Sequence, residues 1–336
     1  SLNTSFGVSV SGIDLAIGYG FEKGELSDIK TVLSNQRRES FVNRVTHRFV
    51  AKGYKNFDFE SGLVKSMGFH AGVNADIFEQ KGIGSRSENP VAWSAGIGLV
   101  PGFFDRLELK GNLFSGKRVP TYNEYYYSSL FFAGELDPEQ FNGFEAGFVV
   151  KRPMVFLDEV RLSFYSINTT DKIIWVPSMI GLQIPRNVSK VRSQGFDISA
   201  AASIPGSGLS FASTYSWLDA SNISPFGSAD GSNGKQLVYT PGERINSSLW
   251  WKYEDFRAIL EHRFTGVSYF TSDNDPRNFL GSHNVFDLHL SWFVSLMKVE
   301  NTLTVSIFNL FNENFKIIQS YPMPLRTVVV SLTTKL

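Results

Sequence analysis

The chain has 336 residues with 32 basic and 32 acidic side chains, no cysteine, 29 glycines, 30 phenylalanines, 12 tyrosines and 6 tryptophans. A net charge of zero gives no electrostatic case for nucleic acid as a partner, and the lack of cysteine excludes disulfides, thiolate chemistry and sulfur-ligated metals. No stretch approaches the ~18 consecutive apolar residues of a membrane helix, so any membrane crossing must be made by strands.

The first residues, Ser1 to Gly12, lack the basic and apolar regions of a secretory signal, as expected of a mature, trimmed or partial chain. From Ile13 the odd positions Ile13, Leu15, Ile17, Tyr19 and Phe21 are apolar while Asp14, Ala16, Gly18 and Gly20 are small or polar. The same period of two recurs at Trp93, Ala95, Ile97, Leu99 and at Leu107, Leu109, Leu113 set against Glu108, Lys110, Asn112. It returns at Leu209, Phe211, Tyr215, Trp217, then at Phe286, Leu288, Leu290, Trp292, and at Val299, Leu303, Val305, Ile307. The last run has Val328, Val330 and Leu332 against Thr327, Ser331 and Thr333.

These patterns predict about 15 strands, many of ~9 to 12 residues, which is what a tilted strand needs to cross a bilayer. Short turns such as Ser11-Gly12, Pro205 to Ser207 and Tyr253 to Asp255 alternate with long polar connections. The long ones run roughly over 26–40, 79–90, 116–142, 177–187, 219–243, 266–282 and 312–324. That asymmetry is a property of outer-membrane barrels, with the long loops outside and the short turns in the periplasm. The expected fold is therefore all-β: a transmembrane antiparallel β-barrel in which residues 1–336 form one barrel domain. A soluble β-sandwich would share the alternation but not the alternating loop lengths.

Apolar faces rich in Tyr19, Phe21, Trp93, Trp217, Tyr253 and Trp292 suit lipid contact and an interfacial aromatic girdle. The opposite face carries Arg106, Glu108, Lys110, Glu145, Lys151, Arg257, Glu261, Arg263, Asp287 and Glu300, a polar lumen of mixed sign whose charges pair with one another or with a plug. The histidines His47, His70, His262, His283 and His289 fall on separate segments without metal-ligand spacing, so no metal and no cofactor is expected. No nucleophile or phosphate-loop motif is present, and an enzyme is not expected. Aromatic residues crowd one long connection, with Tyr122, Tyr125, Tyr126, Tyr127, Phe131 and Phe132, and Trp175 enters another. Exposed rings are costly, so they pack on other loops or on a ligand, and Tyr122, Tyr125, Tyr126, Tyr127, Phe131 and Trp175 are the candidate ligand-binding residues.

Three ordered segments carry a resemblance to a known family. In Lys117 to Phe148, Arg118, Pro120, Thr121, Asn123, Glu124, Leu136, Pro138 and Glu139 match the mid-barrel motif of TonB-dependent receptors, with Tyr125 where leucine is common. Asn187, Val188, Lys190, Arg192, Ser193 and Gly195 resemble the entry to a later strand. Ile307 to Leu336, with Asn309, Leu310, Phe311, Asn312 and Glu313, is similar to the family's closing hairpin, although it ends in Leu336 where phenylalanine is usual.

The resemblance implies a Gram-negative outer-membrane receptor that imports a scarce nutrient of siderophore, cobalamin or glycan type. It implies a barrel of roughly 22 strands, of which about seven and a plug domain lie outside this sequence. The implied partners are outer-membrane lipid, a small-molecule or glycan ligand, a surface lipoprotein, and a TonB-type energy-transducing protein bound through an N-terminal region that this sequence lacks. A self-contained porin or structural barrel of roughly 16 strands is the alternative.

Overall fold

The structure, a computed structural model, describes every residue except 27–41, 61, 83–85, 131–135, 178–181, 224–230, 297–298 and 336. Its strands are β1 (Leu2–Val10), β2 (Ile13–Leu26), β3 (Val42–Asp58), β4 (Val64–Gly82), β5 (Arg86–Glu88), β6 (Val91–Pro101), β7 (Leu107–Arg118), β8 (Glu139–Met154), β9 (Leu157–Pro177) and β10 (Gln183–Ile204). They continue with β11 (Leu209–Asn222), β12 (Glu243–Tyr253), β13 (Phe256–Thr265), β14 (Ser268–Tyr269), β15 (Phe279–Leu280), β16 (His283–Leu296), β17 (Val299–Phe308), β18 (Lys316–Ile318), β19 (Tyr321–Pro322) and β20 (Thr327–Lys335). One helix, α1, spans Tyr122–Leu130.

The large sheet is an antiparallel meander in the order β1-β2-β3-β4-β6-β7-β8-β9-β10-β11-β12-β13-β16-β17-β20, with β5 added beside β4. Its path has the expected number of long strands, and the hairpins β14-β15 and β18-β19 are confined to connections. A single greasy face follows from the period of two. Leu288 lies opposite Leu260 on β13 and Ile307 on β17, and all three are on the side that carries Leu249, Phe211 and Trp292. Asp287 lies opposite Glu261 on the other side. The greasy side faces outward, with Leu113 at 57%, Ile198 at 43% and Trp292 at 58% exposure in the interior of the sheet, values that only a lipid environment makes inexpensive.

Two features of the wall differ from the sequence expectations. Strands β9 and β10 reach 21 and 22 residues, well beyond what a tilted strand needs to cross a bilayer, so they continue above the hydrocarbon and shorten the connection between them. Arg106, expected in the inner series, sits instead in the turn before β7 and donates to the Arg152 carbonyl of the neighbouring turn at 2.7 Å.

Gly195 shows how tightly the inner wall packs. A Cβ there would overlap the Tyr165 hydroxyl and the Trp217 carbonyl, because the Tyr165 ring covers the bare glycine backbone, a common device in curved sheets. Gly195→Val is expected to cost about 1–3 kcal/mol through overpacking, read as a lowered midpoint in urea unfolding from lipid vesicles; an unchanged midpoint would show that Tyr165 moves aside freely.

Candidate functional site at the long-loop rim

The aromatic connection expected as a loop is the helix α1, and its start is encoded locally. Thr121 accepts a hydrogen bond from the Glu124 amide at 3.3 Å while Glu124 accepts one from the Thr121 amide at 2.7 Å. This reciprocal capping box satisfies two donors that a helix N-terminus leaves open.

Three arginines then hold the helix against the inner wall. Arg118, at the end of β7, donates to both carboxylate oxygens of Glu139 at 2.7 and 2.8 Å and to both of Glu124 at 2.9 and 3.1 Å. Glu139 also accepts the Ile173 amide at 2.8 Å, which ties β8 and β9 to the same node. Both carboxylates are almost fully buried, so the charge-assisted fork is what makes their burial tolerable. Burial pushes the Glu124 carboxyl up, but the Arg118 guanidinium and the Thr121 amide outweigh it and hold the group below the usual carboxylate range.

Arg44, on β3, donates to Gln80 at 2.7 Å and to the Pro120 carbonyl at 2.9 Å, with its guanidinium 4.3 Å from the Tyr122 ring centroid and 4.6 Å from that of Phe78. Arg86, on β5, donates to Glu88 at 2.8 Å, to the Leu136 carbonyl at 2.7 Å and to the Tyr125 hydroxyl at 3.3 Å. Tyr122 reaches as far as β2, where a Cβ at Gly24 would overlap its hydroxyl. The result is a shelf fastened to β3, β5 and β7 at one end of the barrel wall.

The candidate ligand-binding residues separate on this shelf. Tyr125 is 4% exposed and serves the arginine contacts, and Tyr122 is half-buried against Arg44. Tyr126 and Tyr127 meet edge-on at 5.4 Å between centroids, and Tyr127 meets Trp175 edge-on at 5.5 Å, which joins α1 to the end of β9. Tyr127 keeps 39% of its surface open. Phe131 and Phe132 lie outside the described residues. Beneath the helix is a cavity of ≈ 300 Å³ lined by Glu22, Arg44, Arg48, Asp76, Arg118 and Tyr122, in which Arg48 and Asp76 form a two-bond pair at 2.9 and 3.0 Å. Lower on the inner wall a hollow of ≈ 700 Å³ is lined by His70, Glu108, Lys110, Glu145, Lys151 and Arg161 among others. Among the described residues no group of three or more His, Asp or Glu side chains is placed to hold a metal ion.

Several of the motif residues are structural hubs. Pro120 is fully buried, Pro138 half-buried, and Leu136 lies under Arg86. Asn187 binds the Asp137 and Asp171 carbonyls at 3.0 and 2.6 Å and accepts the Asp137 amide, joining the segment before β8 to β9 and β10. Asn309 and Asn312 have φ of 52° and 60°, a left-handed conformation that asparagine tolerates better than most residues. From there the Asn309 side chain binds the Glu313 and Pro324 carbonyls, while buried Asp287 accepts the Asn309 amide and the Arg263 guanidinium. Phe311 stays exposed, edge-on to Phe286 at 5.1 Å. Arg192 is exposed on the outer face. Arg44, Arg86 and Gln80 were not singled out by the sequence; the Thr121-x-x-Glu124 spacing was a readable helix signal.

Comparison with curated proteins finds no match. Solved structures match over nearly the whole chain. They include the ferric-catecholate import receptor Fiu from E. coli K12 (TM-score 0.68, 15% identity, 98% of this chain and 53% of that one). The FrpB iron transporter from Neisseria meningitidis gives 0.67, 13%, 98% and 54%, and the copper transporter OprC gives 0.66, 14%, 97% and 55%. At these identities the likeness shows the fold, and the chain spans about half the length of those proteins. The family profile described as TonB dependent receptor-like, beta-barrel matches residues 56–310, most of the chain. Its members are Gram-negative outer-membrane transporters rather than enzymes, and by fold, register and profile this chain belongs to the TonB-dependent receptor β-barrel family.

Proposed function

We propose that residues 1–336 form part of the wall of a ligand-gated importer, with the long-loop rim outside the cell and the shelf α1 in its vestibule. The observation that carries this reading is the arginine-fastened helix, which presents Tyr126, Tyr127 and Trp175 as a preformed aromatic surface above a mixed-charge inner wall. Such a surface suits a scarce nutrient with flat or ringed apolar faces, of siderophore, cobalamin or glycan type.

The inner hollow, with Glu108 set between Lys110 at 3.2 Å and Lys151 at 4.0 Å, suits contact with a plug domain that a TonB-type partner would pull. The outer edges of β1 and β20 pair with nothing among the described residues. Open edges are not stable in hydrocarbon, so further strands would close the wall to roughly 22. The intact mass of the native protein tests this: a chain near the present length would support a self-contained barrel of roughly 16 strands instead.

Replacing Tyr127 and Trp175 together with serine in the full-length receptor is expected to weaken ligand binding about tenfold, since each ring stacked on a ligand contributes about 0.5–1.5 kcal/mol. Heat-modifiable migration should stay intact. Unchanged affinity would assign these rings to packing between connections alone.

A further inference from the structure

The inner wall beneath α1 carries polar groups that the shelf itself does not engage. Successive inward positions of β3 are Arg44, Thr46 and Arg48, about 7 Å apart along the strand, because every second residue shares a face. Glu22 on β2 lies directly opposite Thr46 on one side, and Phe78 on β4 lies opposite it on the other. All five line the cavity of ≈ 300 Å³. Arg118 and Asp76, which also line it, are already paired.

Arg44 commits Nε and Nη2 to Gln80 and the Pro120 carbonyl, and Arg48 commits Nε and Nη2 to Asp76. Nη1 of each arginine and the Thr46 hydroxyl have no hydrogen-bond partner among the described residues. Half-buried Arg44 also has no carboxylate within ion-pair distance among them, so its charge keeps a desolvation cost that an anion would offset. Glu22, exposed, likewise has no ion pair among the described residues, because the stack on Phe78 and Tyr122 keeps the Arg44 head turned toward α1. In the same cavity Asn74 Oδ1 is buried and accepts no hydrogen bond among the described residues. Three donors thus border the space over Thr46, and one carboxylate stands about 5 Å across from it. An anion alone is repelled by Glu22, and a cation alone by the two arginines. A group that carries both charges on neighbouring atoms satisfies both.

We infer that the cavity beneath α1 binds an α-amino acid group, with Arg44, Thr46 and Arg48 holding its carboxylate and Glu22 its ammonium. The apolar side of the cavity, Phe78, Pro90 and Tyr122, takes the side chain. The group belongs either to a free amino acid or to the amino-acid end of a larger ligand. The site uses none of Tyr126, Tyr127 and Trp175. It deepens the importer reading and rests on it for the source of the ligand, while binding to the purified receptor reports on the site whether or not transport follows.

The test titrates the full-length receptor in neutral detergent at pH 7 with L-alanine, followed by calorimetry, and with Nε-dansyl-L-lysine, followed by dansyl emission. The second probe keeps a free α-amino acid group and adds a bulky extension. Binding of both assigns the site to the end of a larger ligand, and binding of alanine alone assigns it to a free amino acid. Propionate and ethylamine, which each keep one of the two charges of alanine, should bind at least about tenfold more weakly than alanine. Glu22→Gln and Thr46→Val are each expected to weaken alanine about tenfold; neither side chain has a protein partner to lose among the described residues, and Arg44 is left in place because it fastens α1. Should Thr46→Val lose heat-modifiable migration, Glu22→Gln alone is read. Replacing Tyr127 and Trp175 with serine should leave alanine affinity unchanged, which separates this site from the aromatic surface. No binding of alanine, propionate or ethylamine binding as tightly as alanine, or native affinity in Glu22→Gln would each overturn the inference.

Discussion

Removal of the Arg118 guanidinium is expected to invert the acid response of the barrel. In the native protein the fork leaves Glu124 and Glu139 ionised inside a nearly dry node. Arg118→Ala leaves both carboxylates buried with only amide donors and Lys172, 3.8 Å from Glu139, to compensate. Breaking a buried pair by removing one partner costs about 3–5 kcal/mol; because the Arg118 side chain is itself 36% exposed, the lower end of that range, about 3 kcal/mol at neutral pH, is expected.

The pH dependence has opposite signs in the two proteins. Native Glu124 has a folded-state pKa below its unfolded value, so its contribution is complete above the ordinary carboxylate range and is lost as pH falls through the lowered value. Without Arg118 the burial effect dominates and the folded-state pKa rises above the unfolded one. Stability is then greatest below the ordinary carboxylate range and is lost as pH rises through the folded value. Urea unfolding of the full-length receptor from lipid vesicles, followed by tryptophan emission from acid to neutral pH, should give curves that converge in acid and diverge toward neutrality. Parallel curves would show that Arg118 contributes packing and not charge compensation.

A cation placed on the lipid face is the second large effect. Leu288 lies between Leu260 and Ile307 on the outward side, so Leu288→Arg should cost about 2–4 kcal/mol near the bilayer midplane. Ser291, three residues on, faces inward beside Arg257 and shares a 3.1 Å hydrogen bond with Thr304. Ser291→Arg loses that bond and meets a like charge in water, an expected cost of about 1 kcal/mol or less. Folding titrations into vesicles compare the two directly, and equal losses would contradict the assigned faces, since a one-residue slip would exchange them.

The alternation of apolar and polar residues was enough to predict an all-β membrane wall, its two faces and the number of its strands. Those properties depend on the fixed two-residue period of a strand, which any eight or nine consecutive residues reveal. Family membership was legible for a related reason: the residues around Arg118, Asn187 and Asn309 are hubs whose geometry tolerates few substitutes, so they stand in a recognisable order along the chain.

The shelf at the rim was only half legible. Thr121 and Glu124 encode the start of α1 through contacts three residues apart. Whether Tyr125 or Tyr127 faces open space depends on where Arg44 and Arg86 sit, and those residues come from strands some 80 and 40 positions away in sequence, respectively. No local pattern carries that information. Likewise Lys117 and Lys190, distant in sequence, come to one height in the wall only through the register of β7 to β10. Periodicity determines which side a residue faces, and only the pairing of strands decides who its neighbours are.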